Sequence, residues 1–246
     1  MNTNVVILLT GCVNPNGMVF TELSDVNVRL KQYLQAIDFY LLHTSCPIVF
    51  VENSNFEISP YLPKNCDKNR LEILTFDGND YDKTIGKGYG EALIIEYALN
   101  NSRFLSNSHQ IIKITGRIII DDIKEIIAEI IKAPNNVVFA DINWHSNYRD
   151  KLLSVVVSAP SSFWYRFITK KVYINDNKGV VFENVLKNTA DEWVRSGGRF
   201  SLFHTPLLYK GVSGSTGLSY TKSHPHLKYY FKLLFYNMYL KNIFGY

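Results

Sequence analysis

The sequence predicts a single α/β domain built around a mainly parallel sheet. Three observations carry that expectation. Short apolar, β-branched runs recur from Asn4 to Asp141, segments of helical periodicity separate them, and most runs end at a glycine or a polar residue. Strands covered by helices on both faces are apolar on both sides, which explains why the runs are continuous and not alternating.

Asn4 to Thr10 (NVVILLT) is the first such run and stops at Gly11. Asp25 to Leu42 follows with helical spacing, placing Leu30, Leu34, Ile37 and Leu41 on one face. Pro47 to Glu52 (PIVFVE) and Leu71 to Phe76 (LEILTF) predict two further strands, the second followed by the turn sequence Asp77-Gly78-Asn79-Asp80. A helix is expected over Glu91 to Leu105, opened by Gly86-Lys87-Gly88-Tyr89-Gly90. Gln110 to Thr115 (QIIKIT) and Asn136 to Asp141 (NVVFAD) are strands on either side of a helix over Ile123 to Lys132. Beyond Trp144 the pattern loosens into shorter strands, loops and a last aromatic helix. No linker, repeat or low-complexity tract interrupts the chain, so one domain over residues 1–220 with an extension over 221–246 is expected.

Composition narrows the class. Hydrophobic residues make up 46% and charged residues 20% of the 246 residues, which fits a folded chain and not a disordered one. Cys12, Cys46 and Cys66 are odd in number and have no C-x-x-C spacing; they suit a reducing compartment and neither a disulfide framework nor a thiolate zinc site. The start MNTNVVILLTG has no signal-peptide pattern, and no apolar run approaches the length of a membrane span. A cytoplasmic protein is expected, at most peripheral at the inner face of the cell membrane. Net charge is only +4, but Lys222, Lys228, Lys232 and Lys241 fall in a tail without acids, which points to an anionic partner there. The aromatic stretch His226 to Phe244 suits an anionic membrane surface, and equally a helix packed on the core. No nucleic-acid motif accompanies it.

An open α/β sheet binds its ligand at the carboxyl ends of its strands. Those ends read Thr10-Gly11, Glu52-Asn53, Asp77, Thr115-Gly116-Arg117 and Asp141, polar groups able to line one crevice. Alternate glycines at Gly86, Gly88 and Gly90 before a helix would let the backbone approach a phosphate, with Lys87 adding charge. A plain turn, with Glu91 complementing the helix dipole, accounts for the same residues. Lys113 and Arg117 fall on one strand face if the strand continues, and fixed cations there would stabilise a leaving diphosphate. The competing account is Arg117 paired to Asp121 or Asp122. Asp141-Ile142-Asn143 is a degenerate Asp-x-Asp, a weak candidate for a divalent cation, manganese or magnesium. Glu183, at the start of an apolar helix, is a candidate general base, and Asp191-Glu192 a second acidic pair. Gly211 to Gly217 would form a phosphate nest or a mobile loop. His224 and His226 lack a nearby carboxylate and read as surface residues.

The strand ending in Thr10-Gly11, the Val51-Glu52-Asn53 strand end, Gly86 to Glu91 and Lys113 to Arg117 together resemble bacterial capsule and O-antigen glycosyltransferases of GT-A-like type. Phe163-Trp164, Phe182-Glu183 and Gly214-Ser215-Thr216-Gly217 are similar to the same group, so the resemblance spans roughly residues 4 to 220. It implies a GT-A-like domain with a Rossmann-like sheet, a nucleotide-sugar donor, and a glycan or lipid-linked oligosaccharide acceptor. The donor would lie among Thr10, Gly11, Glu52, Asn53, Gly86, Lys87, Gly88, Glu91, Lys113 and Gly116, with Arg117, Asp141 and Glu183 carrying the chemistry. Thr115-Gly116-Arg117 stands where the group's metal-binding Asp-x-Asp would end a strand, which favours cations over a metal. A sugar nucleotidyltransferase and a non-catalytic membrane-surface protein are the alternatives. Gly11-Cys12-Val13-Asn14-Pro15 is poor in glycine for the former.

Overall fold

The computed structural model describes residues 4–18, 21–142, 151–214, 217 and 219. The expected tail helix, His224, His226, Asn143 and the Ser215-Thr216 part of the glycine loop lie outside the described residues.

In chain order the elements are β1 (Val5–Gly11), α1 (Val26–His43), β2 (Ile48–Glu52), β3 (Leu71–Thr75), α2 (Lys87–Asn101), β4 (Gln110–Thr115), β5 (Ile119–Ile120), α3 (Ile123–Lys132), β6 (Val137–Ile142), β7 (Leu152–Pro160), α4 (Ser161–Thr169), α5 (Phe182–Arg195), β8 (Arg199–Ser201) and β9 (Tyr209–Lys210). Seven strands form one sheet in the order β3-β2-β1-β4-β7-β6-β8, while β5 and β9 pair separately. Only β7 runs antiparallel to its neighbours β4 and β6. The mainly parallel α/β sheet expected from the apolar runs is therefore present.

Strand alternation sorts the core into two layers. Ile7, Leu9, Phe50, Ile112 and Ile114 face α1 and α3, where Tyr33, Ile37, Tyr40, Ile126 and Ile130 meet them. Val6, Leu8, Val49, Val51 and Ile111 face the opposite way, against α2, α4 and α5 with Ile95, Trp164, Phe167 and Leu186. Full burial of side chains of this size stabilises the fold by about 1.5–3 kcal/mol each, before the entropy of ordering them is subtracted.

Two local expectations need correction. The run Leu152 to Pro160 is the longest strand of the sheet, not a loosened region; Ser154 and Ser158 dilute its apolar signal, and a bulge at Ala140/Asp141 breaks its register with β6. The second helix begins at Lys87, not Glu91, so Gly88 and Gly90 are helical residues of its first turn. It stops at Asn101 because Ser102 turns extended and its hydroxyl takes the N–H groups of Phe104 and Leu105.

Candidate active site

From β1 the chain steps outward through β2 and β3, then returns to place β4 on the other edge of β1. This reversal opens a crevice between the carboxyl ends of β1 and β4. A cavity of about 370 Å³ occupies that position. Its floor is Thr10, Gly11 and Thr115 at the two strand ends, and Arg29 and Tyr33 of α1 close one side. Lys87, Gly90 and Glu91 of α2, Ser154 of β7 and Glu183 of α5 form the other side, and Ser213-Gly214 covers one end.

Glycine at position 11 is dictated by packing. A Cβ there would come within 2.5 Å of the Phe50 ring, and one at Gly116 within 2.7 Å of the Thr10 carbonyl oxygen. The two strand ends thus approach closely, and Gly116 N–H donates to Thr10 O at 2.9 Å.

Lys113 and Arg117, expected on one strand face, part company. β4 ends at Thr115, and the turn after it carries the Arg117 guanidinium towards α1, where it donates to Gln32 Oε1 (3.1 Å) and to Val212 O (2.9 Å). Asp121 pairs with Lys210 instead. Lys113 faces α2: it is fully buried, ion-paired with Glu91, and donates to the Ser154 carbonyl at 2.6 Å. Its ammonium also sits 5.5 Å from the centre of the Phe182 ring. A carboxylate already neutralises this cation, and Lys113 does not reach the cavity wall.

The glycine-rich start of α2 is likewise occupied from within the protein. The anion at its N-terminus is the Asp176 carboxylate, which accepts from Gly88 N–H at 3.4 Å. A Cβ at Gly86 would fall 2.2 Å from Asp176 Oδ2, one at Gly88 3.1 Å from Asp176 Oδ1, and one at Gly90 2.5 Å from the Tyr81 hydroxyl. Gly86 and Gly88 lie off the cavity wall, whereas Gly90 and Lys87 are on it. Burial pushes the Asp176 carboxyl up and the Lys87 ammonium down from their ordinary ranges, the latter against the pull of Glu91, Glu183 and Asp176.

Glu52 is wholly buried and spends its oxygens on the fold. Val13 N–H (2.8 Å), Ser54 N–H (2.9 Å) and Phe56 N–H (2.8 Å) donate to it, as does the Ser54 hydroxyl. Even so, burial outweighs these donors and raises its carboxyl from the ordinary range. It ties the loop after β1 to the loop after β2 and leaves nothing for a ligand. Asn53 does reach the cavity, with its amide donating to Asn79 Oδ1 at 3.2 Å. Asp141 is buried in β6 beside Leu153 of β7, off the cavity wall, and accepts from Ile142 N–H at 2.8 Å.

Glu183 stands in the first turn of α5, where it complements the helix dipole, and on the cavity wall. Ser154 Oγ donates to its Oε1 at 2.6 Å. Asp191 and Glu192 are taken up in ion pairs with Lys187 and Lys170. Among the described residues no three of His, Cys, Asp and Glu come together as metal ligands would.

No family model matches this chain, and no curated protein matches it.

Several wall residues are not among the site candidates that the sequence offers: Arg29, Tyr33, Cys12, Asn79, Tyr81 and Ser154. For Arg29 a signal existed. Arg29, Tyr33, Ala36, Ile37 and Tyr40 repeat at helical spacing and are all buried, so the inward face of α1 is centred nearer Arg29 and Tyr33 than Leu34. Arg29 donates to Cys12 O at 2.7 Å and Leu23 O at 2.9 Å, and Tyr33 OH accepts from Cys12 N–H at 2.8 Å. Ser154 gave no signal at all, because its role depends on a bulge and on α5.

Proposed function

We propose that this protein is a glycosyltransferase that moves a sugar from a nucleotide-sugar donor to a hydroxyl of a glycan or lipid-linked oligosaccharide acceptor in surface-polysaccharide synthesis, in a GT-A-like domain. One observation carries the proposal: a single cleft at the switch point of the sheet has guanidinium groups at one end and an oriented carboxylate, Glu183, on the facing side. Transfer from a nucleotide sugar needs both. Negative charge grows on the departing diphosphate while a proton leaves the attacking hydroxyl.

In this mechanism the Glu183 oxygen not engaged by Ser154 accepts the acceptor's proton. The acceptor oxygen bonds to the anomeric carbon, and the carbon–oxygen bond to the diphosphate breaks with its electron pair passing to the diphosphate. The result is inversion at the sugar. Thr10, Gly11 and Asn53 line the part of the cleft nearest β1 and β2, where the nucleotide would lie. Protein cations meet the diphosphate: Thr115-Gly116-Arg117 brings a guanidinium and no carboxylate to the end of β4, and Asp141 is off the cleft wall.

The test is a thermal-shift series of the protein with UDP, GDP, CDP, CMP and dTDP, with and without manganese. A specific nucleotide that raises the melting temperature without metal supports the proposal and names the donor class. A shift seen only with manganese would overturn the role given to the guanidinium groups, and no shift with any nucleotide would sink the proposal.

A further inference from the structure

Arg29 and Arg117 are 6% and 7% exposed, respectively, and both line the cleft. Among the described residues neither forms an ion pair; the acids that do pair are matched to other cations. Their hydrogen-bond acceptors are neutral: the Cys12 and Leu23 carbonyls and the Tyr33 hydroxyl for Arg29, and Gln32 Oε1 and Val212 O for Arg117. The Arg117 Nε is buried with no hydrogen-bond partner. Burying a charge without a counter-charge is costly, and a buried donor left unpaired adds to that cost.

Gly214 lies between the two side chains. A Cβ at that position would come within 2.6 Å of Arg117 Nη2 and 4.0 Å of Arg29 Nη1. Its carbonyl oxygen accepts from Glu22 and Leu23 N–H at 3.0 and 3.4 Å, which pins the loop over the guanidinium groups. Two uncompensated guanidiniums beside a residue without a side chain, at one end of an open cleft, are complementary to a compact polyanion.

We infer that Arg29, Arg117 and the Gly214 backbone form an anion subsite of the cleft that takes a phosphate or diphosphate group of the ligand. Lys113, the other cation of the β4 segment, has no part in it because Glu91 neutralises it. The inference rests on the transferase proposal only for the molecule to which the phosphate belongs.

Titration calorimetry with inorganic pyrophosphate, in the presence of a chelator, tests the subsite on the full chain. The wild type is expected to bind, more weakly as salt is raised. Arg117→Ala should weaken binding about tenfold or more, Arg117→Lys should recover only part of it, and Gly214→Ala should reduce it with both arginines present. Melting curves of each variant separate lost binding from lost folding, and Arg117→Lys is the variant of choice if Arg117→Ala does not fold. Wild-type protein that ignores pyrophosphate, or Arg117→Lys and Gly214→Ala that bind it unchanged, would overturn the subsite. Pyrophosphate binding without binding of any nucleotide would uphold the subsite and remove the transferase proposal. Nucleotide-sugar turnover that is indifferent to both substitutions would do the reverse.

Discussion

Ser154 holds Glu183 from below: its hydroxyl donates a 2.6 Å hydrogen bond to Glu183 Oε1, while its carbonyl oxygen accepts one of 2.6 Å from Lys113 Nζ. One residue of β7 therefore joins a carboxylate of α5 to the buried cation of β4. Lys113 is in turn paired with Glu91, which accepts from Thr10 Oγ1 at 3.1 Å. The chain of contacts crosses the cleft from β1 to α5.

If Glu183 is the base, Glu183→Gln should lower turnover of a nucleotide sugar by about a hundredfold or more, with donor binding unchanged. Ser154→Ala should cost less, since it frees the carboxylate without removing it. Steady-state kinetics beside nucleotide thermal shifts would check both. Full activity in Glu183→Gln assigns the proton transfer to another group.

The Lys113–Glu91 pair supports a stability prediction that does not depend on function. Lys113→Met alone should destabilise the protein by about 1–3 kcal/mol, because it strips the cation from a half-buried carboxylate at the cleft wall. Combining it with Glu91→Leu should return much of that loss. Urea unfolding of the two single variants and the double variant completes the cycle, and strictly additive effects would argue against coupling.

Gly86 has φ +100°, and the space a Cβ would need is filled by Asp176. Gly86→Ala should therefore destabilise by about 1–3 kcal/mol through backbone strain, with further loss if Asp176 cannot move away. Thermal melting of Gly86→Ala is the measurement. A melting temperature equal to the wild type would mean that this turn adapts freely.

Asp176 supplies a pH dependence with a definite sign. Burial raises its carboxyl above the ordinary value of 3.8, so the native state holds this proton more tightly than the unfolded chain. Its contribution to stability is fully present below 3.8 and is lost as pH rises through the folded value. Asp176→Asn removes that loss, so its stability relative to wild type should grow as pH is taken from about 4 towards 7. Urea midpoints at several pH values would show it, and parallel curves would contradict it.

Much of the framework is legible from local sequence. NVVILLT, PIVFVE, LEILTF, QIIKIT and NVVFAD are all strands within a residue or two, because a strand buried on both faces must be apolar throughout, whatever surrounds it. β7 escaped because its two serines break the apolar run and are matched by particular partners: buried Ser158 accepts from Gln110 at 2.9 Å, and Ser154, on the cleft wall, bonds Glu183. The helix of Gly86 to Glu91 was displaced by one turn because three glycines signal a loop, whereas here their missing side chains admit Asp176, Phe182 and Tyr81.

By itself, the sequence determined where β1, β2, β3, β4 and β6 lie and which polar residues end them, since both follow from periodicities of a few residues. Only the tertiary structure decided which charges remain available to a ligand. Lys113 and Arg117 are four positions apart, yet one meets Glu91 of α2 and is neutralised, while the other turns to α1 and Val212. Arg29 joins Arg117 beside Gly214 although the chain between them runs through three strands and a helix. The choice of a counter-charge is made across such separations by packing, and no local pattern encodes it.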